Sequence, residues 1–312
     1  MRIRSLFGNF LRARSVVTVG LCVVFLACVP AMPRGEARAE PRAGPQGSEQ
    51  GAERGELRRQ LWLVPSPQPG VLMRTTVFRP SGAGPFPLVV MNHGTTQNAE
   101  RRRMLPAPAF DALAQWFVRR GFAVAVPQRP GHGETGGVFR EDQGGCDDAD
   151  FAGAGRGAAD SIAAAVAYLT AQPFVRRAGT IVAGQSAGGW DALAYASRAP
   201  AGLRAVINFS GGLGGRAWDR PDNNCAPDRL IAAAADYGRT SRVPTLWVYT
   251  ENDSYFSPRL SGAMAAAFRA AGGKADYALL PAFGSDGHFM AETDGAEAAW
   301  GPVVDRFLTT LH

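Results

Sequence analysis

The chain has 312 residues, 46% of them hydrophobic and 19% charged, which is enough for one large globular domain and a leader segment. The formal net charge is +6, but residues 1–60 hold ten Arg and five Glu, and so supply most of the excess. Because the remaining 252 residues are close to neutral, the composition excludes the basic surface of a nucleic-acid-binding protein.

The first 39 residues have the pattern of a secretory signal peptide. Arginines precede an apolar run over residues 16–29, and Ala37-Arg38-Ala39 offers a cleavage site. The run is shorter than the roughly 20 residues of a membrane-spanning helix, although a single anchor, or lipidation at Cys28, stays an alternative. We therefore predict a periplasmic or secreted protein with no stable membrane association after cleavage, and a disordered linker over residues 40–60 that is rich in Pro, Gly, Arg and Glu.

The rest of the chain, residues 61–312, alternates strand and helix patterns. Apolar runs predict about eight strands, and helical spacing or Ala-rich composition predicts helices between them. This alternation predicts an α/β fold with a mostly parallel twisted sheet and helices on both faces. The predicted strands cover 61–64, 71–79, 88–92, 122–126, 180–183, 205–209, 245–249 and 277–280.

Two cysteines, Cys146 and Cys225, remain after signal cleavage. An even number of cysteines in an exported chain predicts one disulfide bond between them. A metal site is the alternative, but neither cysteine has a second Cys or His nearby. We expect no metal and no organic cofactor.

The segment Gly184-Gln185-Ser186-Ala187-Gly188 follows a predicted strand and begins a predicted helix. Such a sharp turn strains the serine backbone, leaves little room for Cβ atoms beside it, and presents the hydroxyl at the carboxyl edge of the sheet. Ser186 is therefore the predicted nucleophile, although a glycine-rich turn with a solvated serine would match the same pattern.

A nucleophilic serine needs a base and an acid that orients the base. Of the four histidines, His288 lies in the loop after the last predicted strand, from which it can reach over the sheet. Asp253 follows the preceding strand at the same edge and is the predicted acid. Asp286 and Glu251 are the alternatives.

The three predicted residues occur along the chain in the order serine, acid, histidine. With this order the chain resembles the α/β-hydrolases, and more narrowly the dienelactone-hydrolase-like and carboxylesterase branch. The resemblance covers residues 61–312 and includes His93-Gly94 after the third strand. It implies an oxyanion hole formed by the backbone N–H groups of Thr95 (or Thr96) and Ala187. Dienelactone hydrolases use cysteine, so Ser186 does not imply their lactone activity.

Substrate residues are less well defined by sequence. Candidate apolar lining residues are Trp190, Tyr255, Phe256, Phe289 and Met290, although core packing is the commoner place for such side chains. The run Arg101-Arg102-Arg103 is either solvated or recognises an acidic substrate group.

The resulting prediction is an exported serine hydrolase that cleaves small-molecule carboxylic esters. A serine peptidase of the same fold and a non-catalytic exported binding protein are the alternatives. The sequence predicts no nucleic-acid partner and leaves the oligomeric state open.

Overall fold

The computed structural model describes residues 46–108 and 110–311, which belong to one compact unit. The predicted signal peptide and the first residues of the predicted linker lie outside these ranges. Among the described residues, no helix is long and apolar enough to cross a membrane.

The described residues form a nine-stranded sheet in the order β1-β2-β3-β5-β4-β6-β7-β8-β9. The pairs β1–β2, β2–β3 and β3–β5 are antiparallel, and all the other pairs are parallel. The predicted mostly parallel α/β sheet is therefore confirmed. The strands are β1 (Ser48–Arg54), β2 (Arg59–Pro65), β3 (Leu72–Phe78), β4 (Leu88–Asn92), β5 (Ala123–Pro127), β6 (Thr180–Gln185), β7 (Leu203–Phe209), β8 (Pro244–Thr250) and β9 (Lys274–Leu280).

The ninth strand corrects the predicted linker. Residues 48–54 pair with β2 across a turn at Gly55, so this part of the chain is ordered although its side chains are mostly exposed. Backbone pairing to a sheet edge needs no buried side chains, and the sequence pattern therefore gave no signal for it. Glu53 also forms ion pairs with Arg58 and Arg79, which stabilise the strand's end.

Helices cover both faces of the sheet. Residues of α3, α4, α5 and α6 pack on one face with inward side chains such as Val90 and Val182. Residues of α2 and α7 pack on the other face with Val89 and Ile181. Adjacent strand residues thus contact opposite layers, as expected of strands buried on both faces. The helices are α1 (Ala99–Arg103), α2 (Asp111–Val118), α3 (Phe151–Thr170), α4 (Ala187–Ala196), α5 (Pro227–Thr240), α6 (Pro258–Ala270) and α7 (Glu297–Thr309).

Candidate active site

The turn between β6 and α4 holds Ser186 in a strained conformation, with φ 54° and ψ −125°. Its two flanking glycines have a steric reason. A Cβ at Gly184 would lie 2.1 Å from the Gly188 carbonyl oxygen, and a Cβ at Gly188 would lie 2.2 Å from the Asn92 carbonyl oxygen. A larger residue at Gly184 would push the start of α4 away from β6, and a larger residue at Gly188 would push it away from the end of β4. The close packing around the turn therefore holds Ser186 in its strained conformation, as expected at a functional site.

Three side chains from three different loops meet at the carboxyl edge of the sheet. His288, on a short 3₁₀ helix after β9, lies with Nε2 3.0 Å from the Ser186 Oγ. The His288 Nδ1 lies 3.1 Å from the Asp253 Oδ1, after β8. Both His288 and Asp253 are buried. The structure thus brings together the three residues predicted from sequence, in the hydrogen-bonding order serine, histidine, carboxylate.

The carboxylate of Asp253 is fixed by the backbone. Its Oδ1 also accepts hydrogen bonds from the N–H groups of Tyr255 (2.9 Å) and Phe256 (3.0 Å). The imidazole of His288 is held by stacking against the Tyr255 ring, with centroids 3.9 Å apart. These contacts restrict both the carboxylate and the ring to one orientation before any substrate binds.

The two alternative acids do not contact the imidazole. Asp286 accepts hydrogen bonds from the Ser254 hydroxyl (2.6 Å), the Ser254 N–H and the His288 N–H. Partial burial opposes its charge, but these hydrogen bonds outweigh it, so the pKa of Asp286 lies below its usual value. Asp286 therefore shapes the loop that carries His288, and Glu251 is exposed to solvent.

The loop after β4 passes directly against the serine. A Cβ at Gly94 would lie 2.9 Å from the Gln185 Oε1 and 3.2 Å from the Ser186 Cβ, so any larger residue here would crowd the serine. Ala187 is the first residue of α4, where the N–H has no acceptor within the helix. Thr95 lines the cavities on both sides of Ser186. This arrangement is compatible with the predicted pair of oxyanion donors.

Two buried histidines brace that loop. The His93 Nδ1 lies 2.6 Å from the Gly94 carbonyl oxygen, and its Nε2 accepts the Arg129 N–H. The His132 Nδ1 lies 3.2 Å from the Arg129 and Pro130 carbonyl oxygens, which leaves Nε2 to accept the Thr95 hydroxyl at 2.5 Å. Burial, reinforced by the Arg129 charge, lowers the pKa of His93 well below its ordinary value. Burial likewise lowers the pKa of His132. Both rings are therefore neutral and structural at neutral pH.

An ionic cluster beneath the loop was missed by the sequence reasoning. Arg129 is 0% exposed, binds Glu141 through two contacts of 2.6 and 2.8 Å, and donates to the His93 carbonyl oxygen at 2.8 Å. Asp191, on α4, lies 3.2 Å from the same guanidinium. The available signal was a charged residue inside an otherwise apolar helix, five positions after Ser186. The cluster ties the nucleophile helix to the loop after β4.

The predicted substrate residues are only partly at the site. Tyr255 and Phe289 line a cavity of about 400 Å³ that also contains Ser186 and His288. Trp190 does not line it, so this prediction is wrong. Its ring is fully buried against Tyr237, and its Nε1 donates to the Phe151 carbonyl oxygen at 2.9 Å. Every residue of α4 is buried, so the helix has no polar face in its sequence that would show which side chains point toward the cavity.

The predicted disulfide between Cys146 and Cys225 is present and joins the loop before α3 to the loop before α5. Among the described residues, no cluster of three or more His, Cys, Asp or Glu side chains could hold a metal ion. His312, the fourth histidine, lies outside the described residues.

Solved structures with the same fold include hydrolases of different kinds. A putative dienelactone hydrolase from Klebsiella pneumoniae is 17% identical, with a TM-score of 0.53, over 85% of this chain and 97% of that one. Acetyl xylan esterase 1 from Thermoanaerobacterium is 16% identical, with a TM-score of 0.57, over 86% and 88%. The acylaminoacyl peptidase of Pyrococcus horikoshii is 13% identical, with a TM-score of 0.57, over 82% of this chain but 42% of its own.

At the sequence level, no curated protein matches the chain. The model of the X-Pro dipeptidyl-peptidase (S15) family matches residues 69–260, which is more than half of the chain. This segment includes Ser186 and Asp253 and ends before His288. The chain therefore belongs to the X-Pro dipeptidyl-peptidase (S15) family, and it is a serine hydrolase with the α/β-hydrolase fold.

Proposed function

We propose that this protein is a carboxylic ester hydrolase that acts through an acyl-enzyme intermediate on Ser186. One observation carries the proposal, the continuous hydrogen-bonded chain from Ser186 through His288 to Asp253 at an open cavity. A buried carboxylate, an oriented imidazole and a strained serine together form the arrangement that activates a hydroxyl for attack on a carbonyl carbon.

In this mechanism, the His288 Nε2 accepts the Ser186 proton as Oγ attacks the ester carbonyl. The imidazolium that forms is stabilised by Asp253, whose Oδ1 faces the Nδ1–H. His288 then gives its proton to the departing alcohol, and a water molecule, deprotonated by the same nitrogen, releases the acyl group from Ser186. The fixed ring and carboxylate avoid reorganisation during these proton transfers.

Negative charge on the carbonyl oxygen is stabilised by the N–H groups of Ala187 and Thr95, each worth about 3 kcal/mol in transition-state energy. The close approach of Gly94 to Ser186 and the bond from Thr95 to His132 support this role. The buried Arg129 supports it from below, because it holds the His93 carbonyl.

Ester hydrolysis is supported by two structures with the same fold, a putative dienelactone hydrolase and an acetyl xylan esterase, of which the chain covers 97% and 88%. Peptide hydrolysis is the second candidate, because the matching family model is named for an X-Pro dipeptidyl-peptidase. A non-catalytic binding protein is the third candidate, and the assembled side chains of Ser186, His288 and Asp253 do not support it.

Export to the periplasm or medium is part of the proposal. Its support is the signal-like sequence of residues 1–39 and the disulfide between Cys146 and Cys225, a bond typical of oxidising compartments. N-terminal sequencing of the protein recovered from cell fractions tests it. An uncleaved cytoplasmic protein would contradict it.

The test of activity uses Ser186→Ala beside Ser197→Ala, a control at the end of the same helix. We expect Ser186→Ala to lower turnover of short-chain 4-nitrophenyl esters by about 10⁶-fold and to abolish labelling by a fluorophosphonate probe. Ser197→Ala should keep both. Equal activity of Ser186→Ala would refute the assignment, and preferential cleavage of X-Pro peptides by the wild type would favour the peptidase instead.

A further inference from the structure

Two cavities meet at Ser186 and differ in their access to His288. The first, about 400 Å³, contains His288, Phe289 and Glu292. The second, about 550 Å³, contains Ala187 but not His288, and extends between the loops joined by the disulfide. Because a leaving group takes its proton from His288, it departs through the first cavity. The acyl group of an ester therefore occupies the second cavity, an assignment that rests on the proposed function.

The lining of the second cavity has more positive than negative side chains. Arg101 and Arg216 line it, and neither has a carboxylate within salt-bridge distance in the described part of the chain. Arg216 donates instead to the Ser254 hydroxyl (2.9 Å), which in turn donates to Asp286, and to the Asp219 carbonyl oxygen (3.2 Å). Asp219 is the one acidic residue of the lining.

Arg216 is held close to the reacting groups. Its guanidinium carbon lies 5.5 Å from the centre of the Tyr255 ring, which stacks on His288. The backbone of Arg216 is left-handed, with φ 53°, and Trp218 also has a positive φ of 54°. Strained residues of this kind are frequent at ligand-binding segments. The disulfide at Cys225 and the hydrogen bond from the Ala217 N–H to Asn223 hold the segment in place.

Two further side chains provide a polar and an apolar contact in the same cavity. Gln143 is only 7% exposed, and its Oε1 has no hydrogen-bond partner among the described residues. The Gln143 amide is therefore free to bind a polar group of a ligand, and rotation about its last bond would place the NH₂ donors, which suit a carboxylate, where the Oε1 lies. Trp218, at the rim, is 74% exposed and offers a flat apolar face.

We propose that the second cavity binds an acyl group carrying its own carboxylate, so that the substrates are half-esters of dicarboxylic acids. Arg216 and Arg101 bind the distal carboxylate, and guanidinium groups suit carboxylates because of their paired donors. Arg102 takes no part, since it is buried, lies over the Phe139 ring and donates to the Thr96 carbonyl oxygen. The same charges disfavour peptides with a free amino terminus, whose ammonium group would enter this cavity.

The test compares mono-(4-nitrophenyl) adipate with 4-nitrophenyl hexanoate, which has the same chain length and no carboxylate. We expect kcat/KM of the wild type to be about tenfold higher for the adipate half-ester, a preference that falls with added NaCl. Arg216→Gln and Arg101→Gln should each reduce the ratio several-fold, mainly through KM. Turnover of the hexanoate ester shows that each variant is folded. Arg103→Gln, on the same helix as Arg101 but outside the lining, is the matched control and should keep the wild-type ratio.

Equal kcat/KM for the two esters in the wild type would overturn this inference and leave the ester hydrolase proposal standing. A preference that survives both arginine substitutions would overturn it as well. If neither ester is hydrolysed, the proposed function fails, and calorimetry with adipate then decides the inference. Adipate binding lost in Arg216→Gln would support it, and absence of binding to the wild type would overturn it.

Discussion

The buried cluster of Arg129, Glu141 and Asp191 contains one cation and two carboxyl groups, and the structure indicates which carboxyl is charged. Burial opposes the charge of Glu141, but the Arg129 guanidinium outweighs it and holds the pKa of Glu141 below its usual value. Burial, together with the Glu141 charge, raises the pKa of Asp191 well above its usual value despite Arg129. Glu141 is therefore the counter-ion, and the fold favours the protonated form of Asp191.

Two isosteric substitutions separate these roles. Glu141→Gln leaves a buried guanidinium without its counter-ion, and breaking such a pair typically costs about 3–5 kcal/mol in the free energy of unfolding. Asp191 can then ionise and offset part of this loss, so we expect a cost near 3 kcal/mol. Asp191→Asn removes a carboxyl whose charged form is disfavoured in the fold but favoured in the unfolded chain at pH 7, so it should cost less than about 1 kcal/mol there. The double variant should cost more than the sum, because neither carboxylate remains.

Urea denaturation at pH 7, followed by intrinsic fluorescence, measures these differences. Because the pKa of Asp191 is raised in the folded state, this carboxyl stabilises the folded protein below its unfolded pKa. The stabilisation is lost as pH rises through the folded pKa. The stability of the wild type relative to Asp191→Asn should therefore fall with rising pH. If Asp191→Asn is as destabilising as Glu141→Gln at pH 7, then the charge assignment is incorrect.

Two other predictions concern the loops around the site. Replacing Cys146 and Cys225 with Ser should lower the free energy of unfolding by up to about 4.5 kcal/mol, given the 79-residue separation of the cysteines. A reductant should produce the same loss in the wild type and none in the variant. An unchanged denaturation midpoint of the variant would contradict this. Asp286→Asn should destabilise the protein at neutral pH, because the pKa of Asp286 is lower in the folded state. Its carboxylate therefore stabilises the folded protein above the unfolded pKa, and this stabilisation is lost as pH falls through the folded pKa. Thermal melts of both proteins from pH 7 to pH 3 should converge at the acid end, and a constant difference would refute a role for the charge.

The sequence determined the parts of this protein that depend on local pattern. Buried strands such as β4 and β6 are continuous apolar runs, and the turn at Ser186 needs small residues at fixed positions, so both are visible without coordinates. The meeting of Ser186, Asp253 and His288 follows from the rule that the carboxyl ends of parallel strands lie at one edge of the sheet. The two cysteines that follow the predicted signal peptide were likewise enough to predict a disulfide bond.

Tertiary structure decided what depends on contacts between distant segments. The exposed strand β1 exists because β2 offers it backbone partners, and Trp190 is buried because α5 covers it. The choice between Asp253 and Asp286 required the direction of each carboxylate, since both follow strands at the same edge. Arg101, Arg102 and Arg103 are identical in sequence, but successive residues of a helix point in different directions. Arg101 faces the cavity, Arg102 is buried and Arg103 is exposed to solvent, which only the structure shows.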